Sequence, residues 1–111
     1  MLYGLYQALR SIVDEGLEQV FARHRQAHEQ LVAGLAEMGI DMLVDSPFRL
    51  PMLNAVKVPD GIQEAAVRKT LLEQYDIEIG AGLGPLAGRI WRIALMGHTA
   101  RPENVARALD A

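Results

Sequence analysis

Along the first third of the chain, apolar side chains return every three or four positions: Leu2, Leu5, Tyr6, Leu9, Ile12, Val13, Leu17, Val20, Phe21, Leu31, Val32, Leu35 and Met38. A period near 3.6 gathers such positions into one stripe of a helix, so residues 2 to 38 are predicted to be mostly helical. Gly16 interrupts the stripe, and glycine costs about 1 kcal/mol relative to alanine inside a helix. The expectation is therefore a long N-terminal helix or a jointed helix pair with its joint at Gly16. Gly39, just past Met38, suits a helix C-terminus.

Beyond Gly39 the period shortens. Ile40-Asp41-Met42-Leu43-Val44 alternates near a period of two and is stopped by Asp45-Ser46-Pro47, which predicts a short strand. A second strand is predicted from Met52 to Val58, stopped by Pro59-Asp60-Gly61. A helix is expected from about Ile62 to Tyr75, with Ala66, Val67, Thr70, Leu71 and Tyr75 as its buried side. Ile77-Glu78-Ile79 and Ile90 to Met96 read as two more strands joined by a glycine-rich loop, a long-looped hairpin. Thr99 or Arg101 then starts a last helix, with Pro102 at its first position. The order helix, strand, strand, helix, strand, strand, helix predicts an α+β fold: a small, mainly antiparallel sheet covered by helices on one face.

Composition narrows the classes. At 111 residues the chain supports one compact core. Half of it is apolar, yet no run approaches the roughly 20 apolar residues that span a bilayer, so a soluble chain in a cytoplasmic setting is expected. The formal charge is −3 and the basic residues are scattered, which argues against nucleic acid and against a membrane surface. The absence of cysteine removes disulfides, thiolate metal sites and cysteine nucleophiles together. An apolar helix beginning at Met1 with no capping residue leads us to expect further residues upstream.

Arg92 is the most informative candidate. Alternation puts it on one strand face with Ile90, Ala94 and Met96, while Trp91, Ile93 and Leu95 take the other, so both faces are apolar. A guanidinium among apolar neighbours needs an anion, because arginine cannot escape by losing its proton. Either a protein carboxylate or a ligand carboxylate would serve, and the residues alone favour a structural ion pair. The run Gly80-Ala81-Gly82-Leu83-Gly84-Pro85 invites a phosphate-loop reading, but a strand rather than a helix follows it, and that mechanism needs helix amides. What remains is a pliable loop whose glycines at 80, 82 and 84 let a ligand or another segment approach the backbone. His24 and His28 stand at i and i+4, yet no HExxH glutamate accompanies them and Arg23 and Arg25 repel a cation, so no metal site is expected. Lys57 and Lys69, the only lysines, show no pocket for an imine. His98 lies at a strand-to-helix turn and is assigned no role.

The stretch from Tyr75 through Asp76-Ile77-Glu78-Ile79-Gly80-Ala81-Gly82-Leu83-Gly84-Pro85, then Gly88 to Gly97, then Ala100-Arg101-Pro102-Glu103-Asn104-Val105, resembles the C-terminal segment of the alanine–glyoxylate and serine–pyruvate aminotransferases. The likeness extends upstream through Leu2-Tyr3-Gly4-Leu5, Glu15-Gly16-Leu17-Glu18, Arg23-His24-Arg25 and Leu50-Pro51, and covers nearly the whole chain. These are class V enzymes of fold type I that use pyridoxal 5'-phosphate. The resemblance implies that Arg92 binds the substrate α-carboxylate, which tips the balance from structural ion pair to ligand. It also implies that Gly80, Gly82 and Gly84 lie near the active-site mouth.

The resemblance further implies that the cofactor lysine, the aspartate under the pyridine nitrogen and the ring stacked on the cofactor belong to a large domain N-terminal to Met1. No catalytic or cofactor-binding residue is therefore expected in this chain, and no bound cofactor. Residues 1–38 are expected to link to and pack on that large domain, and residues 39–111 to form the small C-terminal domain. The intact enzyme would be a homodimer moving an amino group between alanine or serine and a 2-oxo acid such as glyoxylate or pyruvate, the chain alone being inactive. The alternative is a stand-alone module that binds a small carboxylate, or associates, without catalysis.

Overall fold

The computed structural model describes residues 1–111. Two helices open the chain, α1 (Leu2–Glu15) and α2 (Leu17–Glu37), broken at Gly16, whose φ of 92° is open to glycine and strained for other residues. The predicted joint is thus present. α2 turns Ala27, Leu31 and Leu35 inward, a spacing of four that keeps them on one face. α1 has no buried residue.

Three strands follow in the order β1-β3-β2, all antiparallel: β1 (Leu53–Lys57), β2 (Gly80–Ala81) and β3 (Ile90–Ala94). β3 is central, with Ala55 of β1 and Gly80 of β2 both opposite Arg92. α3 (Glu64–Tyr75) joins β1 to β2, and α4 (Pro102–Asp110) closes the chain. Pro102 takes the first position of α4, as expected, and Arg101 is its N-cap. The fold is the predicted α+β arrangement.

The core lies on one face of the sheet. Trp91 and Leu95, with Val56 from the adjacent strand, pack against Ala27, Leu31 and Leu35 of α2 and against Ala100 and Val105. Ile93 and Val67 support this cluster from its edge. Asn54, only 1% exposed, is the buried polar residue of this face. Its amide donates to the carbonyls of Pro51 (3.3 Å) and Ile93 (3.2 Å), and its Oδ1 accepts from His28 Nδ1 at 2.6 Å. Every buried side-chain nitrogen and oxygen in the protein has a partner.

Three expectations need correction. The strand predicted at Ile40–Val44 reduces to one isolated bridge, Met42 with Val56. Leu43 and Lys57 donate amides across this edge, to the carbonyls of Ala55 and Asp41, before Pro47 enters a 3-10 turn that ends the pairing. The strand predicted at Ile77–Ile79 is unpaired, because those residues complete the exit from α3: Asp76 is left-handed (φ 55°) and the Ile77 amide returns to the carbonyl of Leu71. The alternation there reports burial, Ile77 and Ile79 half-buried around an exposed Glu78, rather than hydrogen bonding. Finally, the predicted inner side of α3 is mostly open. Val67 and Leu71 are half-buried, while Ala66, Thr70 and Tyr75 are exposed, because this flank lines an open cleft that Ala111 meets at the end of α4.

Candidate functional site

Arg92 occupies the middle of the central strand on the face away from the helices. That face also carries Ala55 and Leu53 of β1, Ala94 of β3 and Gly80 of β2, all at least partly open to solvent. The guanidinium is half-buried and held by one bond, Nε donating to the carbonyl of Ala81 at 2.6 Å. No carboxylate lies within 4.0 Å of it, since the ion pairs of this protein are Arg10–Asp14, Arg23–Glu15, Arg68–Glu64 and Lys69–Glu73. The structural ion pair that the residues alone favoured is absent.

Both Nη atoms are without a partner, and because no buried side-chain nitrogen lacks one, they are open to solvent. The arrangement is a cation fixed in orientation at Nε and free at its two terminal nitrogens. A carboxylate fits such a pair of donors by two parallel hydrogen bonds. Lys57, opposite Ile90 in the register, lies on the same sheet face and adds positive potential there.

The loop after Gly80 has one tightly packed position. Gly82 is buried, and a Cβ there would meet Leu86 and Ile90, whereas residues 83–89 are exposed. Two 3-10 turns flank β3, at Gly84–Leu86 and Gly97–Thr99. Arg89 donates its amide to Leu86 and accepts from Val58, which ties the loop to the end of β1.

Sequence reasoning missed how the far end of β3 is anchored. Arg23 of α2 donates Nη1 to the carbonyls of Gly97 and Ala100 while its Nε and Nη2 pair with the Glu15 carboxylate at 2.7 and 3.0 Å. This pairing holds the Glu15 carboxyl below its ordinary range and raises Arg23, in both cases first through the hydrogen bond between them. His24 Nδ1 donates to the Val20 carbonyl at 2.7 Å, which leaves Nε2 to accept the Gly97 amide at 2.9 Å. Both His24 nitrogens are thereby used within the chain, and no group of three metal-ligating side chains occurs. The spacing His24, His28 reflects two separate anchors, one on the Gly97 turn and one on Asn54. His98 is exposed within that turn.

Neither lysine sits in an enclosed pocket. Lys69 is exposed and faces Glu73 at 3.9 Å, and Lys57 is exposed at the rim of an open cleft shared with Asp60 and Arg89. A second cleft of about 340 Å³ lies between residues 76–79, the end of β3 and α4, and Arg92 does not line it. The chain thus presents a cation with two unpaired terminal nitrogens on an open sheet face, and none of its helices is long and apolar enough to cross a membrane.

No protein-family model matches the chain. Individual proteins do. The (S)-ureidoglycine–glyoxylate transaminase of Bacillus subtilis is 45% identical over 105 residues, covering 95% of this chain and 25% of that protein. The alanine–glyoxylate aminotransferase of Mus musculus is 40% identical over 111 residues, 99% of this chain and 27% of that protein. The crystal structure of an alanine–glyoxylate aminotransferase from Nostoc sp. superimposes with a TM-score of 0.95 at 42% identity, over 97% of this chain and 29% of that one. The chain therefore spans about a quarter of the length of the relatives it matches.

Proposed function

This chain matches the C-terminal part of the class V aminotransferases, and from that premise we propose that it is the substrate-carboxylate-binding portion of a pyridoxal-phosphate-dependent transaminase. The reaction proposed for the whole enzyme moves an amino group between a small amino acid, alanine or serine, and a 2-oxo acid, glyoxylate or pyruvate. Relatives named for glyoxylate as the amino acceptor support this choice. The observation that carries the reading is the state of Arg92: half-buried, oriented by Ala81, and free of any protein carboxylate.

Arg92 binds and orients. Two parallel hydrogen bonds from Nη1 and Nη2 hold the acid end of the substrate, which fixes where its Cα points and converts part of the reaction's entropy cost into binding. It moves no proton, because a guanidinium keeps its own throughout the accessible pH range. Pyridoxal phosphate supplies the amino-transfer chemistry in enzymes of this class. The residues present here do not form a cradle for it, as neither Lys57 nor Lys69 is enclosed. Its ligands are proposed to lie in a large domain to which residues 1–38 connect, in a cytoplasmic homodimer. The 111-residue chain alone is proposed to be inactive.

In the intact enzyme, Arg92→Ala is expected to reduce kcat/KM for the amino acid by ~30-fold or more, since truncating one partner of a desolvated charge pair costs about 2 to 5 kcal/mol. Unchanged kinetics would remove the basis of the assignment. A second reading, a stand-alone carboxylate-binding module, draws on the same free Nη atoms. Transamination by the 111-residue chain itself with added cofactor would refute both the inactivity of the chain and this second reading.

A further inference from the structure

The three glycines of the 80–84 loop are glycine for three different physical reasons. Gly84 has φ +55° and open space around it, so its requirement is backbone conformation. Gly82 has ordinary dihedrals but no room: a Cβ there would meet the backbone of Leu86, with its carbonyl carbon at 2.7 Å, and Ile90 Cγ1 at 2.8 Å. Gly80 has neither restriction. Its backbone lies outside the left-handed region, and the atoms nearest a Cβ there all belong to Arg92, Nε and Nη2 at 3.4 Å and Cβ at 3.5 Å, which is ordinary contact.

Alanine would therefore fit at position 80 without moving the sheet. What the missing side chain leaves free is space against the guanidinium. Arg92 is flanked in register by Ala55 on one side and Gly80 on the other, two of the smallest residues, and its Nε is drawn toward the Gly80 side by the carbonyl of Ala81. A carboxylate on the two Nη atoms would carry its neighbouring carbon atoms over this shelf.

We propose that Gly80 determines specificity at the Arg92 site: by leaving the Nη2 edge uncovered it admits 2-oxo and 2-amino acids that bear a carbon substituent, and a larger residue there confines the site to the smallest acids. This rests on the reading of Arg92 as a carboxylate grip. The γ atoms of a branched residue would project across the guanidinium edge into the volume that the substituent needs.

The test follows the Arg92 Nε–H resonance by NMR in the 111-residue chain during titration with formate, glyoxylate, pyruvate and 2-oxobutyrate. The chains compared are the unaltered one, Gly80→Ala, Gly80→Val and Arg92→Ala, the last read through backbone amides of Gly80 and Ala81. Filling a pocket by one or two carbons changes selectivity by about tenfold. Gly80→Val should weaken pyruvate and 2-oxobutyrate by about that factor relative to formate, with Gly80→Ala between, and with the remaining amide spectrum unchanged. Equal weakening of all four acids, or none, overturns the inference while leaving Arg92 as the grip. Arg92→Ala binding the acids as well as the unaltered chain, or no binding by the unaltered chain, overturns the Arg92 reading and this inference with it.

Discussion

The two faces of β3 carry side chains of similar polarity and meet opposite fates. Trp91 and Leu95 enter the core with Ile93 packed against it, whereas on the other face Ile90 is buried, Arg92 is half-buried and Ala94 is exposed. The same holds between the first two helices. α2 buries Ala27, Leu31 and Leu35, while α1, with a stronger apolar stripe, leaves Leu2 80% and Val13 77% exposed. An apolar pattern states that a surface should be covered, and it does not state by what. Within this chain the helices cover one face of the sheet, and the other face keeps its cation available.

That contrast can be broken most forcefully at Trp91. Trp91→Ala should cost about 3 to 5 kcal/mol of stability by urea denaturation, through lost packing and cavity formation, together with its bond from Nε1 to the Glu64 carbonyl. Arg92→Ala, one residue along the strand, should shift the same transition by less than about 1 kcal/mol. Equal losses at the two positions would mean that the faces are not energetically distinct.

A smaller effect separates two glycines of the 80–84 loop, Gly80 beside Arg92 and Gly82 beside Leu86 and Ile90. Gly82→Ala should destabilise by about 1 to 3 kcal/mol, because its Cβ would displace the backbone of Leu86. Gly80→Ala should leave the midpoint nearly unchanged, its Cβ making only ordinary contacts. Similar costs at both would place the requirement for glycine at 80 in folding rather than in ligand access.

The smallest effect is electrostatic and lies away from the sheet. Glu15 and Glu64 are both held below their ordinary value of 4.5, first by hydrogen bonds from Arg23 and Arg68. A folded-state value lower than the unfolded one contributes stability that is complete above the unfolded value and is lost as the pH falls through the folded one. Stability should thus decline on acidification below about pH 4.5. Glu15→Gln should flatten part of that decline, and since Glu15 lies at the surface, only slightly. A pH profile identical in Glu15→Gln and the unaltered chain would show that the link between α1 and the Gly97 turn is not maintained in solution.

Much of this was legible in the residues. The 3.6-residue stripe marked α1 and α2, Gly16 marked their joint, Pro102 the start of α4, and the alternation around Arg92 put a guanidinium on the strand face opposite Trp91, Ile93 and Leu95. The resemblance carried by residues 75–105 pointed to the aminotransferases that the comparisons then identified. Less was legible where a pattern reports burial and not bonding. Ile77–Ile79 alternates as a strand does, but leaving α3 through a left-handed Asp76 takes its backbone out of the ladder. Arg23 and His24 entered the sequence reading only through the rejected metal site and the family likeness, and their contacts with Gly97 and Ala100 span more than seventy residues of chain.

The sequence by itself determined the helices, the strands at β1 and β3 and the presence of one cation in an apolar strand, because periodicity, glycine and proline act locally. Only the tertiary structure decided that Arg92 has no acidic partner, that Gly82 is locked by packing while Gly80 is not, and that α1 stays uncovered. Those outcomes depend on which distant segments meet in space, and local propensity holds no record of that.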